Sequence, residues 1–355
     1  MTTTPAPSTT PPAPGKRVRT RSRKRKAWIW VGAIVGVLVL AAGGTYLGIR
    51  ASINANIEHI PNALPEQTKN PSDGTTAEPG TDEPAAIETG DPINFLVMGS
   101  DSRQSGGDPT DWEYGAQRSD VLMMVQISGD RESVNVMSIP RDSWVPVPGY
   151  GTTKINAAFS YGGAPLSVQT VHELTGVTID HLAIIDFASF EELTDTLGGV
   201  TITTSKGDQT MNGEEALTFV RERYSLPGGD FDRVRRQQAW MEAILRETFN
   251  QDILASVPKI SEMINIVLDY SALDEGLNFD TLLSMATSMR NVRPDNVNFF
   301  TAPVTGTGME GSASVVYLDN DRLDQVAEAW RNDTVDALIE EDPEVVRMLH
   351  SEPVY

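Results

Sequence analysis

Three pairings of carboxylate with guanidinium and one run of arginines carry the chemistry available to this sequence. Asp101 and Arg103 follow an apolar stretch ending at Ser100, Arg118 and Asp120 open the next, and Arg141 and Asp142 leave a third. Carboxylates with no histidine or cysteine nearby suit a hard cation such as Mg²⁺ (or Mn²⁺), bridged to phosphate oxygens. The same aspartates would serve equally as caps or turn formers. Farther on, Arg221, Arg223, Arg233, Arg235 and Arg236 fall within sixteen residues. Residues 91–355 hold 15 arginines and three lysines (Lys154, Lys206 and Lys259) against 42 acids. A solvated surface uses lysine freely, so this preference for the rigid, bidentate fork points to recognition of phosphate or carboxylate groups. Helical spacing sets Arg233, Arg236 and Gln237 on one face. The competing arrangement is an exposed helix laced with ion pairs to Glu222, Asp230 and Asp232.

Other chemistries find no residues. With no cysteine in 355 residues there is no disulfide framework, thiolate metal site or thiol nucleophile. Four histidines leave little for a multi-histidine metal centre. Met98-Gly99-Ser100-Asp101 matches neither a Walker loop nor a dinucleotide fingerprint, and Ser100 lacks the G-x-S-x-G context of a serine hydrolase. A net charge of −21 argues against a nucleic-acid partner.

That charge is unevenly placed. Residues 1–26 carry eight basic side chains and no acid, and residues 27–49 form an uncharged apolar run, AWIWVGAIVGVLVLAAGGTYLGI. A helix of that length spans roughly 34 Å, enough to cross a bilayer, and Trp28, Trp30 and Tyr46 sit near its ends. The basic side should stay cytoplasmic, which places everything after Arg50 outside the cell membrane. A cleaved signal peptide would have a shorter apolar core and a better cleavage site than Gly48-Ile49-Arg50-Ala51. Residues 50–90 read as an acidic spacer rich in Pro, Thr and Glu, residues 91–335 as the exported domain, and residues 336–355 as a loosely held acidic tail.

Within the domain, strands are expected at 93–100, 120–127 and 133–139, the last two as a hairpin. Further strands follow at 181–187, 200–204, 297–304 and 314–318. Helices are expected over 164–174, 189–197, 212–224, 230–249, 253–267, 279–290 and 322–331. Asn212-Gly-Glu-Glu215 has capping-box form. Strands alternating with helices predict an α/β sandwich, a mixed sheet between helices. Arg221 and Arg223, two residues apart, cannot share a helix face, so both can reach one ligand only if the helix ends there.

Taken together, RSDVLMMV (118–125), SIPRDSWV (138–145), KINAAFSYGG (154–163), LGGV (197–200), NGEEALTFVRERYS (212–225) and DFDRVRRQQ (230–238) resemble the LytR-CpsA-Psr family. The resemblance implies a cell-envelope phosphotransferase. Such an enzyme moves an anionic glycopolymer from a polyprenyl-pyrophosphate carrier to a peptidoglycan hydroxyl, usually the C6 hydroxyl of N-acetylmuramic acid. It implies Mg²⁺ at Asp101 and Asp120, and pyrophosphate contacts from Arg118, Arg141, Lys154, Arg221, Arg223, Arg233 and Gln237. It also implies an apolar lipid tunnel between sheet and helices, for which Phe95, Val97, Val121, Met123, Val125, Phe187, Leu193 and Leu197 are candidates; each serves equally as ordinary core. Attack on a diphosphate needs its charge neutralised, which a metal ion and arginines supply without a covalent intermediate. Asp120 is then the candidate acceptor of the hydroxyl proton. A pyrophosphate phosphatase would use the same residues; a non-catalytic membrane-tethered regulator or binding protein is a second alternative, and an envelope lectin or scaffold, which would survive the loss of Asp101 and Asp120, a third.

Overall fold

The apolar runs of the first two long strands are unbroken because both faces are covered. The computed structural model describes residues 50–51, 54, 57–67, 90–100, 121–222, 226, 230–250, 253, 256–269, 271–349 and 354–355. The first part of the chain contains β1 (Glu58–Ile60), β2 (Ile93–Ser100), β3 (Val121–Ile127), β4 (Val134–Ser138), β5 (Trp144–Val147) and β6 (Gly151–Lys154). Next come α1 (Ala157–Thr175), β7 (His181–Asp186), α2 (Phe187–Thr196), β8 (Val200–Thr204), β9 (Gly207–Met211), α3 (Gly213–Arg221) and α4 (Asp230–Asn250). The remainder comprises α5 (Val257–Leu268), β10 (Ser271–Asp274), α6 (Phe279–Ser288), β11 (Val297–Thr301), β12 (Val304–Glu310), β13 (Ala313–Leu318), α7 (Asn320–Arg331), α8 (Val335–Glu341) and β14 (Arg347–Met348).

Eight strands form one mixed sheet in the order β1-β10-β7-β2-β3-β4-β11-β14. The β3–β4 hairpin is antiparallel, as is β2–β3, while β2 runs parallel to β7 and β4 parallel to β11. Strands β7, β2, β4 and β11 therefore all point the same way and end at one edge. The two-residue period of the strands divides the core. Leu96, Met98, Leu122, Met124, Met137 and Phe300 pack on one face with Val168 and Val171 of α1 and Val326 and Trp330 of α7. Val121, Met123, Val136 and Phe299 pack on the other with Leu193 of α2, Leu217 of α3 and Trp240 of α4. This is the expected sandwich.

Several local readings change. The helix expected from Ala164 starts at Ala157 and is broken at Gly162–Gly163, where φ/ψ of −143°/15° and 64°/−153° leave the helical region. The helix expected to reach Tyr224 stops at Arg221, because Glu222 is extended (φ −60°, ψ 131°). Its capping box is present: Asn212 accepts from the Glu215 N–H while the Glu215 carboxylate accepts from the Asn212 N–H. The loose tail of residues 336–355 is corrected: α8 runs into it from Val335, and β14 pairs antiparallel with β11. The spacer expected at 50–90 is corrected as well, since β1 pairs with β10 in the main sheet, Ala63 is buried and the Gln67 side chain bonds the Ile179 main chain; such short pieces gain order only from the sheet they join. In the tail, Val345, Val346, Leu349 and Val354 are buried. These apolar residues are scattered among acids, so composition hides them; they gain order only by packing on a finished sheet. The membrane helix expected at 27–49 lies outside the described residues, among which no helix is long and apolar enough to cross a membrane.

Trp240 is 1% exposed, and its Nε1 donates to Thr194 Oγ1 at 2.8 Å, joining α4 to α2. Trp240→Ala should destabilise the domain by about 3–5 kcal/mol through the cavity it leaves, measurable by denaturant unfolding.

Candidate functional site

A glycine opens the way to the site. At the paired ends of β2 and β3, Gly99 stands opposite Val121, and a Cβ on Gly99 would lie 2.8 Å from the Val121 Cβ. Only glycine permits this close approach. In the sequence Asp101 lies two positions beyond Gly99 and Asp120 one position before Val121, the residues at which β2 and β3 are paired at this end of the sheet. Asp101, Arg103, Arg118 and Asp120 themselves lie outside the described residues, as does Arg223. By residue type Asp101 and Asp120 offer only oxygen donors, the kind a hard divalent cation takes. Among the described residues no cluster of three or more metal-ligating side chains occurs.

The same edge carries a carboxylate that the sequence reading passed over. Asp186 ends β7, pairs in register with Ser100 and is 7% exposed. Its signal was an acid closing the apolar run HLAII at the carboxyl end of a strand, where open α/β sheets bind ligands. Arg141 leaves β4 here, half-buried, and its carbonyl accepts from the Asn156 N–H at 3.2 Å. Lys154 Nζ sits 2.9 Å from Asp142 Oδ1, so an adjacent carboxylate offsets its charge.

The arginine helix is drawn to this edge by Gln238. Its buried Nε2 donates to Ser138 Oγ at 2.9 Å and to the Phe300 carbonyl at 3.0 Å, at the ends of β4 and β11. The first turns of α4 are consequently buried: Asp232, Arg233, Arg235, Arg236 and Gln237 are each 9% exposed or less. The helix is therefore not the exposed one that was the competing expectation. The arginines also divide their labour, which the expected shared face of Arg233, Arg236 and Gln237 did not anticipate. Arg235 Nη2 donates to the Leu349 carbonyl at 2.7 Å. Arg236 donates through Nε to the Tyr355 carbonyl and through Nη1 to the Phe219 carbonyl at 2.6 Å, with its guanidinium 4.0 Å from the Phe219 ring centroid. Burial pulls the Arg236 pKa downward, and Glu222 and Asp232 oppose that pull; the group remains a cation at any physiological pH.

The Phe219 contact holds the end of α3, and with it the half-buried Arg221, against the start of α4. Because α3 ends at Arg221, the conflict between Arg221 and Arg223 on a continuous helix disappears. The Gln237 Oε1 is buried and has no hydrogen-bond partner among the described residues, a place for a ligand to complete the network. A cavity of about 370 Å³ opens beside the far face of α4, lined by Phe231, Arg235, Thr301, Arg322 and Arg347. The apolar residues proposed for a tunnel form core instead: Val121, Met123, Leu193 and Leu197 are buried, with Val97 and Val125 packed against them. Phe95 lies by the His181 ring, at 5.2 Å between centroids, and the Phe187 side chain is outside the described residues.

The family model for the LytR_cpsA_psr family matches residues 54–332. The chain is 30% identical over 299 residues to the cell wall biosynthesis protein LcpA of Corynebacterium glutamicum, covering 70% of this chain and 55% of that protein. It thus spans about half the length of that relative. It is 28% identical over 290 residues to the polyisoprenyl-teichoic acid–peptidoglycan teichoic acid transferase TagU of Bacillus subtilis, covering 78% of this chain and 86% of TagU. Among solved structures, the fold is similar to TagT bound to LI-WTA, with a TM-score of 0.53 at 24% identity over 69% of this chain and 91% of that one. A protein of Streptococcus agalactiae gives a TM-score of 0.60 at 21% identity, over 70% and 90% of the two chains. These likenesses establish the fold.

Gln238→Ala should cost about 1–3 kcal/mol, because two buried partners lose their donor. Denaturant unfolding measures this, and Gln238→Glu, which keeps the shape but loses the donating amide, should not restore stability at neutral pH.

Proposed function

Since the chain belongs to the LytR_cpsA_psr family, we propose that it is a membrane-anchored transferase. It moves an anionic glycopolymer from a polyprenyl-pyrophosphate carrier to a peptidoglycan hydroxyl in cell wall assembly. The observation that carries this reading is the convergence of Arg221 and the Arg233–Gln237 turn on the sheet edge from which residues 101–120 depart. The name of TagU, a transferase between a polyisoprenyl-linked polymer and peptidoglycan, supports the same substrate class.

In this reading the acceptor hydroxyl oxygen attacks the phosphorus nearest the glycopolymer. A bond forms between that oxygen and phosphorus, the bond to the bridging oxygen breaks, and polyprenyl phosphate departs. The hydroxyl proton passes to a carboxylate, for which Asp120 is the candidate. Arg118, Arg141, Arg221, Arg223 and Arg233 bind the non-bridging oxygens and neutralise the charge that builds there, while Gln237 orients the group. A divalent metal held by Asp101 and Asp120 supplies further charge neutralisation when bound. The Lys154–Asp142 pair stands behind Arg141 and tempers the positive field. No covalent enzyme intermediate is needed, because the pyrophosphate donor is already activated.

Two outcomes test this. The full chain in detergent micelles, given a short glycan on polyprenyl pyrophosphate and a peptidoglycan oligomer, should yield joined product by mass spectrometry. Arg221→Ala should lower turnover by about 10²–10³-fold, and chelation of divalent metal should abolish it. Phosphorylated glycan released without joining would identify a hydrolase instead, and absence of turnover would favour a binding or regulatory role. For topology, the absence of native cysteine makes labelling clean. In intact cells an impermeant maleimide should label Ser72→Cys but not Thr9→Cys; the reverse pattern would refute the proposed orientation.

A further inference from the structure

Four large apolar or aromatic residues are exposed among the described ones, and two of them touch. Tyr150 and Tyr161 are 54% and 48% exposed, and their rings stack with centroids 4.6 Å apart and planes inclined by 19°. The Tyr150 hydroxyl lies 3.4 Å from the Tyr161 carbonyl. Backbone conformations that side chains rarely adopt hold both residues. Tyr150 sits between Gly149 (φ +80°) and Gly151 (φ +73°) at the tip of the β5–β6 hairpin, closed by Tyr150 N–H to the Val147 carbonyl at 2.9 Å. Tyr161 immediately precedes the Gly162–Gly163 break in α1. A Cβ added at Gly149 or Gly151 would meet no atom within 4 Å, so the ground beside Tyr150 is open. Folding alone gives no reason to stack two tyrosines in water on a glycine-flanked tip.

We propose that the Tyr150–Tyr161 pair is a saccharide-binding platform that seats the acceptor glycan beside the anion site. The identity of that glycan as the acceptor rests on the transferase reading. A pyranose ring presents an apolar C–H face that suits the electron-rich face of an aromatic ring, with its hydroxyls left at the rim for water. The surroundings match an uncharged sugar rather than a polyanion: the tip is built of proline, glycine, tyrosine and threonine, and the one cation of the hairpin, Lys154, is paired with Asp142. The anionic donor belongs to the arginines. The platform is also continuous with that site. Strand β6 runs from Gly151 to Lys154, roughly 10 Å, and the Asn156 N–H just beyond bonds the Arg141 carbonyl. Membrane docking would call for exposed aliphatic or basic neighbours, and the only other large exposed apolar or aromatic residues among those described are Met309 and Tyr355.

The test uses the full chain in a detergent without a sugar headgroup and the tetramer of N-acetylglucosamine as an uncharged probe, titrated calorimetrically. The native chain should bind the tetramer. Tyr150→Ala/Tyr161→Ala should weaken binding by roughly tenfold or more, with the thermal unfolding midpoint unchanged. Tyr150→Phe/Tyr161→Phe, which keeps the ring faces, should retain most of it. In the transfer assay the alanine pair should raise KM for the peptidoglycan acceptor and leave KM for the lipid-linked donor unchanged. Failure of the native chain to bind, equal binding by the alanine pair, a rise in donor KM alone, or loss of vesicle association in place of glycan binding would each overturn the proposal. Tyrosine-dependent tetramer binding in a chain that shows no transfer would leave the platform standing and remove the transferase reading instead.

Discussion

The carboxamide of Gln238 holds the candidate site together. It donates to the ends of two parallel strands, at Ser138 and at the Phe300 carbonyl, and so fixes the first turns of α4 over the sheet edge. Everything that gives the arginines a common target follows from this. Arg236 can then reach back to the end of α3, which brings Arg221 alongside, and Arg235 can reach the Leu349 carbonyl. A buried amide satisfied on its donor side specifies a unique placement in a way that the apolar contacts of Trp240 and Ala243 do not, since apolar packing tolerates sliding.

The arginine-rich composition of so acidic a domain has a two-part physical cause. Some guanidinium groups are scaffold: Arg131, Arg235, Arg236 and Arg331 donate to main-chain carbonyls of other segments, Arg131 to that of Asp91. A planar fork with several donors can satisfy such carbonyls while keeping its charge when buried, whereas lysine offers a single flexible point. Three more, Arg141, Arg221 and Arg233, are those that the proposed function would set against a phosphate-bearing ligand at the strand edge. Buried cations are tolerable at such an edge because an anionic ligand, the neighbouring acids and the surrounding carbonyls share the field.

Much of the fold was legible because its signals are local. Unbroken apolar runs located β2 and β3, two-residue alternation located β4, and the capping box located the start of α3. The pieces that escaped are short and depend on distant partners. Strands β1 and β10 pair with each other across more than two hundred residues, β9 closes a hairpin outside the main sheet, and β14 joins β11 at the edge. Strands of two to five residues carry too few side chains for a period to show, and the longer β12, VTGTGME, escaped because glycine and threonine stand where apolar residues would mark a strand. The burial of Val345, Val346, Leu349 and Val354 escaped for a related reason: apolar residues scattered among acids look like solvent-exposed tail until a core exists to receive them.

The sequence by itself determined the chemistry available: an oxygen-only set of aspartates, a concentration of arginines, no thiol, and a strand–helix alternation that requires a sandwiched sheet. It also carried the motif order that places the chain in its family. Only the tertiary structure showed that Arg235 and Arg236 are bonded to main-chain carbonyls of other segments and so serve the fold. It also brought Asp186 to the edge beside Ser100, and stacked Tyr150 on Tyr161 from two separate elements. The reason is that residue type and helical spacing set what a side chain can do and which face it occupies, whereas its partner comes from strand register and buried hydrogen bonds between segments far apart in the chain.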